Sequence, residues 1–363
     1  MIYIDGLFLA QRINGINRYS RETLKVIAEG CERVGLRINV LVPLNSEIND
    51  AYGLEIIRLE HPVKIDNEGN KTFSGWTRKT AERYSYERKG IFVNFSGYAP
   101  RKANGPCVIH DLRPVCYDDG TKPYQNMKFK AAFRLNCEIA KRRRLPIMTV
   151  SAYSKQTIID TLKVSGETIH ISYCGWQHVL DIQENDVIFR KHPELLAKPY
   201  VFALGSIAAH KNFKWIVEVA KRNPEIMFAI AGGKELETFG TSGEIEERNN
   251  LIYLGYINDG EAKSLMKKAI AFLFPSLYEG FGIPPFEAMA VGTEVIASRE
   301  TCLPEILGNS VHYINANDPN VNIIQLLKQS SVSECSKQVI LSRYSWEKTG
   351  QTWLKLLSEM ENN

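Results

Sequence analysis

The chain has 363 residues and a mass of 41.2 kDa, a length that suits two domains of ~100–200 residues each. Hydrophobic residues make up 44% and charged residues 24%, which excludes a disordered or fibrous chain, and no apolar run approaches the ~20 residues of a membrane-spanning helix. The net charge is only +4, yet residues 1–180 carry 27 Lys and Arg against 18 Asp and Glu, and residues 181–363 carry 18 against 23.

The opening MIYIDGLFLAQR lacks a basic leader and is interrupted by Asp5, so it reads as a buried first strand over 2–7 rather than a signal peptide. A helix is predicted from about Ile16 to Glu29, with Tyr19, Thr23, Val26 and Ile27 along it. Strands follow at 37–43, 54–60, 91–96 and 106–111, helices at about 76–89 and 127–143, then a strand at 147–151 leading into a helix from Ala152. Strands alternating with helices imply right-handed β-α-β units and a parallel sheet. After Gly175 the polar stretch QENDVIFRKHPELLAKP reads as an inter-domain linker.

The alternation then restarts. A strand at 199–205 precedes a helix with Phe213, Ile216, Val217 and Ala220 on one face. Further buried strands are predicted at 226–233, 251–257, 271–276 and 294–298, with a polar loop over 233–250. Trp346, Thr349, Trp353, Leu356 and Leu357 recur at helical spacing in the last segment. The reading is therefore α/β, two β-α-β domains with a cleft between them.

In open parallel sheets, ligands bind beyond the carboxyl ends of strands. The richest loop of that kind is FPSLYEGFGIPPFEAMAVGT (274–293), where a strand gives way to a glycine-rich turn and a helix opened by Pro284 and Pro285. Free amides at such a helix start attract phosphate, and Glu279 and Glu287 can accept hydrogen bonds from sugar hydroxyls. Glu287 is expected in the first turn of that helix.

Glu279 and Glu287 around G-F-G-x-P-P resemble the E-x7-E motif of retaining glycosyltransferases with the GT-B fold, glycosyltransferase family 4. The wider string is similar to bacterial mannosyl- and rhamnosyltransferase-like members. The resemblance implies two Rossmann-like domains facing each other across a cleft. Residues 1–180 would bind the acceptor and 181–342 the nucleotide sugar. The helix at 343–363, which begins RYSW and resembles the family's F-S-W segment, would pack back towards the first domain.

Other loops resemble the family in the expected order. GSIAAHKNF (205–213) looks like the G-x-x-x-x-[RK]-K-N diphosphate loop and contributes Gly205, Ser206 and Lys211, with His210 standing where Arg or Lys is usual. That departure leaves one fixed cation and one whose charge depends on pH. RINGINRYSRE (12–22) resembles the G-I-x-R-Y loop, where Gly15 would let the backbone approach the ligands and Arg18 would meet the acceptor. VIHDLRP (108–114) resembles the H-D motif, implying His110 at the donor sugar and Asp111 towards the acceptor. VSAYSKQTI (150–158) matches V-S-x-x-S-[KR]: Ser151 and Ser154 would cap a helix and Lys155 would touch the acceptor. SYCGW (172–176) departs from the usual N-G-V/I-D, with Cys174 for the Asn.

The implied reaction is glycosyl transfer to a hydroxyl, with a nucleotide diphosphate leaving group whose charge must be stabilised. Lys211, His210 and the amides of Gly280, Phe281, Gly282 and Ile283 would do so. Glu287 would hold ribose and Glu279 the donor sugar, with His110, Lys211 and Glu279 the catalytic set. Retention would follow from a short-lived oxocarbenium-like pair, without a covalent nucleophile. No cofactor and no metal are expected: the nearest approach to D-x-D is Asp118-Asp119, and the seven Cys are scattered without C-x-x-C.

The expected partners are a nucleotide-sugar donor, with GDP-mannose favoured and other GDP-, dTDP- and UDP-sugars open, and a glycan or polyprenyl-diphosphate-linked acceptor. No nucleic acid is expected. The setting would be O-antigen, capsule or exopolysaccharide assembly in the cytoplasm, at the inner membrane face. Arg78, Lys79, Arg83, Arg88, Lys89 and Lys141–Arg144 could dock reversibly on anionic lipid, or the last four could simply complement a helix end. Two alternatives stay open: a nucleotide-sugar 2-epimerase of the same fold, and a non-catalytic nucleotide-sugar-binding module. A Rossmann dehydrogenase is disfavoured because no G-x-G-x-x-G follows the first strand.

Overall fold

A computed structural model describes residues 1–65, 71–117, 123–206, 208–232, 249–329 and 332–362. The chain folds as two units. The first takes Met1–Cys116, Tyr124–Gly175 and Ser345–Asn363, and the second takes Trp176–Tyr344 together with Tyr117 and Pro123. Asp118-Asp119 and the polar loop up to position 248 lie outside the described residues.

In the first unit, β1 (Ile2–Asp5), β2 (Ile38–Pro43), β3 (Glu55–Leu59) and β6 (Ile91–Val93) form a parallel sheet in the order β3-β2-β1-β6. Between them, β4 (Lys64–Ile65) and β5 (Lys71–Thr72) make a small antiparallel pair. A second parallel sheet holds β7 (Cys107–Val108), β8 (Ile147–Thr149) and β9 (Ile169–Ile171) in that order. An isolated bridge pairs Ile91 of β6 with Asn104, on the stretch that leads into β7, and the Phe92 amide donates to the Asn104 carbonyl at 2.7 Å. Gly105 makes this possible: a Cβ there would stand 1.9 Å from the Phe92 carbonyl oxygen.

The predicted first helix runs Gly15–Gly30, capped by Asn14, whose side chain accepts from the Asn17 amide at 2.9 Å. Tyr19, Thr23, Leu24 and Ile27 form its buried face. That face meets the Trp346–Asn362 helix, and two glycines set how closely they approach. A Cβ on Gly350 would fall 2.3 Å from Val26 Cγ1, and one on Gly30 would fall 2.5 Å from Leu354 Cδ1. At the centre the Trp353 indole donates to the Tyr19 hydroxyl (2.8 Å), which donates to Ser172 Oγ (3.0 Å).

The second unit has one six-stranded parallel sheet: β10 (Tyr200–Leu204), β11 (Met227–Ala231), β12 (Leu251–Gly255), β13 (Ala271–Phe274), β14 (Val295–Ser298) and β15 (His312–Ile314). The order is β12-β11-β10-β13-β14-β15. These strands read as continuous apolar runs because helices cover both faces; Val201, Phe202, Phe228 and Phe272 are fully buried.

The predicted linker after Gly175 is in fact folded into this unit. It forms two short helices, Val187–Lys191 and Glu194–Ala197, following a third, His178–Asp181, just before it, and buries Ile188, Phe189 and Leu195. Lys263 ties it down by donating to the carbonyls of Leu180 (3.2 Å) and Ile182 (2.7 Å). The helix predicted at 76–89 also differs: it starts as a π-turn over Thr77–Ala81 before the α-helix Glu82–Glu87.

Candidate active site

The six-stranded order runs third, second, first, fourth, fifth, sixth, so the direction of winding reverses between β10 and β13. At such a switch point the loops leaving the two central strands part and open a crevice for ligand. The loop after β10 carries Gly205, Ser206, His210 and Lys211; the loop after β13 carries Glu279, Gly280, Phe281, Gly282 and Ile283. Topology therefore brings the two predicted donor loops side by side.

Three contacts stitch them together. The Leu277 amide donates to the His210 carbonyl at 2.7 Å. Asn212, in the left-handed region at φ 57° that Asn tolerates, donates its side-chain amide to the carbonyls of Pro275 (3.2 Å) and Ala316 (2.8 Å). Lys211 Nζ donates to Glu279 Oε1 at 2.6 Å, with 18% and 11% of the two side chains exposed. Lys211 also lies 5.3 Å from the Phe274 ring centre. His210 is buried, its ring 6.5 Å from that of Tyr117, which in turn packs on Tyr278 at 5.8 Å. Neither tyrosine stands out in the sequence, since no motif spacing marks them.

Glycine is required at two points here. Gly282 sits at φ 92°, and Gly232, at the end of β11, would put a Cβ 2.0 Å from the Gly205 carbonyl oxygen. Among the described residues, no backbone carbonyl accepts from the amides of Gly280, Gly282 or Ile283. Pro284 and Pro285 have no N–H, so the backbone donors that this turn can offer are those of the residues before them rather than of the helix start as a whole.

Glu287 lies in the second turn of the Ile283–Ala290 helix, not the first, because the helix opens at Ile283. Its Oε1 is 2.7 Å from His178 Nε2, a contact of two largely buried side chains that sequence spacing could not reveal across 109 positions.

The first unit holds the remaining predicted residues. Gly15 opens its helix, and a Cβ there would meet nothing within 4 Å, so the unit's own packing does not demand glycine. Arg18, one turn on, lies 4.0 Å from Glu22. His110 is half-buried beyond β7; its Nε2 is 2.9 Å from the Phe95 carbonyl, and its ring stands edge-on to Tyr19 at 5.0 Å. A carbonyl only accepts, so Nε2 carries the proton. Burial holds the His110 pKa below the ordinary histidine range, which leaves a neutral ring with an accepting Nδ1. Asp111 Oδ1 accepts from the Arg113 amide at 2.8 Å. Ser151 caps its helix, accepting from the Ser154 amide at 3.1 Å. Lys155 Nζ donates to the Ile169 carbonyl at 2.8 Å, tying its helix to β9.

Residues 184–337, which contain both glycine-bearing loops of the second sheet, match the family described as glycosyl transferases group 1. Among curated relatives, the O-antigen chain mannosyltransferase RfbU of Salmonella typhimurium is 29% identical over 223 residues, covering 60% of this chain and 59% of that protein. The serotype-specific mannosyltransferase WbdA of Escherichia coli is 26% identical over 357 residues, covering 88% of this chain and 42% of that protein. The chain thus spans less than two thirds of either relative. Among solved structures, sucrose-phosphate synthase from Thermosynechococcus elongatus superposes with a TM-score of 0.72 at 14% identity, covering 99% of both chains. The fold is GT-B.

Proposed function

We propose that this chain transfers a hexose, with mannose favoured, from a nucleotide diphosphate sugar to a hydroxyl of a glycan or lipid-linked acceptor. The setting would be O-antigen, capsule or exopolysaccharide assembly. The observation that carries the reading is the Lys211–Glu279 pair at 2.6 Å on the switch point of the second sheet, with Glu287 on the helix that follows. The two curated relatives are both mannosyltransferases, which supports the choice of sugar.

In this reading Lys211 and the amides of Gly280–Ile283 meet the charge that grows on the leaving diphosphate, beside the backbone of Gly205 and Ser206. His210 adds a second positive charge when protonated. Glu287 accepts from the ribose hydroxyls and Glu279 from the donor sugar. His110, neutral and with Nε2 committed to Phe95, takes a hydrogen bond from a sugar hydroxyl at Nδ1 and supplies no proton. Transfer retains the anomeric configuration through a short-lived oxocarbenium-like ion pair, the acceptor hydroxyl attacking on the face that the diphosphate leaves and giving up its proton, as the family resemblance implies. Charge neutralisation by Lys211 and the amides makes a metal unnecessary. Gly15, Arg18, Asp111 and Lys155 border the acceptor.

A panel of nucleotide sugars, read by release of nucleotide diphosphate and by NMR of the product's anomeric centre, tests this. The expected result is turnover with GDP-mannose, retention of configuration, and no loss of rate in EDTA. Release of nucleotide from none of the donors would overturn the reading.

A further inference from the structure

We propose that His178 is a positioning residue for Glu287, fixing the carboxylate that receives the nucleotide. The inference rests on the donor-site reading above. Nε2 of His178 lies 2.7 Å from Glu287 Oε1, and only 4% and 14% of the two side chains are exposed. An ionised carboxylate only accepts, so Nε2 is the donor.

Both ends of this bond are held. On the histidine side, the Trp176 indole donates to the Leu341 carbonyl at 2.9 Å and the Gln177 amide donates to the Tyr344 carbonyl at 3.1 Å. The backbone entering His178 is thereby pinned to the end of the Glu334–Arg343 helix. On the glutamate side, Phe281 and Phe286 stack at 5.3 Å, and each meets the Tyr344 ring edge-on at 5.4 Å. Tyr344 thus supports the histidine segment and the glutamate helix at once.

The consequence is a carboxylate with one oxygen engaged and its rotation stopped before any ligand arrives. A ligand diol then meets a pre-set acceptor and does not have to immobilise a free side chain. Outer partners of this kind set the orientation of the group that touches the ligand. Losing the bond is expected to weaken nucleotide binding about 10-fold or more, the range for a hydrogen bond to a charged group. The acceptor KM and the rate at saturating donor are expected to stay near wild type.

Calorimetric titration with nucleoside diphosphates tests the assignment on the full chain. Glu287→Ala is expected to lose binding, His178→Leu to weaken it, and His178→Gln, whose amide nitrogen takes the place of Nε2, to restore it. His192→Ala, on the same segment but paired with Glu194, is expected to bind as wild type. Unchanged affinity in His178→Leu alongside loss in Glu287→Ala would overturn the assignment and leave the donor site standing. Unchanged affinity in Glu287→Ala would overturn both. Should His178→Leu fail to fold, His178→Gln is compared with His178→Asn, whose amide is one bond too short. Tighter binding by the Gln variant supports the assignment, and equal binding refutes it.

Discussion

At the scale of single residues, Gly15 separates a packing role from a binding role. Nothing in the unit lies within 4 Å of a Cβ there, so Gly15→Ala is expected to leave the melting temperature unchanged or raise it slightly, since Ala suits a helix better than Gly. Under the proposed function its rate of transfer is expected to fall, because the added methyl would crowd a ligand held against the Gly15 backbone. A melting curve and an initial-rate assay on one preparation check both halves; full activity would return Gly15 to the status of a simple turn. Lys211 is the counter-case, a residue whose partner is visible. Lys211→Ala removes the cation and leaves Glu279 half-buried without it, so kcat/KM is expected to drop at least ~100-fold, the loss typical of one charge-stabilising donor. Steady-state kinetics at saturating acceptor measure it.

At the scale of elements, helix contact in the first unit depends on absent side chains. Gly350→Val would drive a branched group into Val26, and overpacking of this sort costs roughly 1–3 kcal/mol. Thermal melts should show the drop; a Tm equal to wild type would mean that the helices slide apart freely. In the second unit, Glu294 accepts from His312 (2.9 Å) and from Lys337 of the Glu334–Arg343 helix. Burial pushes its pKa up, but the bonds from Lys337 and His312 outweigh this and hold it below the ordinary carboxylate range. A depressed carboxyl contributes stability above its unfolded pKa of about 4.3 and loses it as pH falls through the lower folded value. The acid limb of Tm against pH is therefore expected to flatten in Glu294→Gln. A limb of unchanged slope would discount the pair.

The elements that the sequence announces are those with both faces covered, such as Tyr200–Leu204 and Met227–Ala231, because burial writes an unbroken apolar run. Ile169–Ile171 and His312–Ile314 escape notice: each has three residues and a histidine, and pairing with a neighbour rather than composition makes them strands. The helices of 178–197 escape for a similar reason, being four or five residues long and anchored by Lys263. In the site, glycines and prolines mark the donor loops locally, so Lys211, Glu279 and Glu287 are legible. His178 and Tyr117 are not, because their roles exist only once distant segments meet.

At the scale of the whole molecule, the basic surplus of residues 1–180 is partly consumed by the fold. Arg143 donates to the carbonyls of Pro100 (2.6 Å) and Ala103 (2.9 Å), Arg142 pairs with Glu138, and Arg83 with Glu87. Of the predicted cluster Lys141–Arg144, Arg143 is thus a structural bracket. If the unit docks on anionic lipid, Lys141→Ser with Arg142→Ser should weaken vesicle sedimentation at low salt without changing Tm, whereas Arg143→Ser should lower Tm. Each cation near the surface contributes ~1 kcal/mol, so a double change is readable. No sedimentation of the wild type at any salt would point to a soluble acceptor.

The first unit draws its chain from three separate stretches, and the last of them, Ser345–Asn363, follows the whole of Trp176–Tyr344. Translation runs in chain order at about 5–20 residues per second. On the ribosome, then, Tyr19 and its helix must wait for Trp353 until the second unit has been made. The second unit is expected to gain protease resistance first, although most of the first is synthesised before it. Nascent chains arrested just beyond Tyr344 should yield a protected fragment from 176 onwards while the preceding residues are still cut.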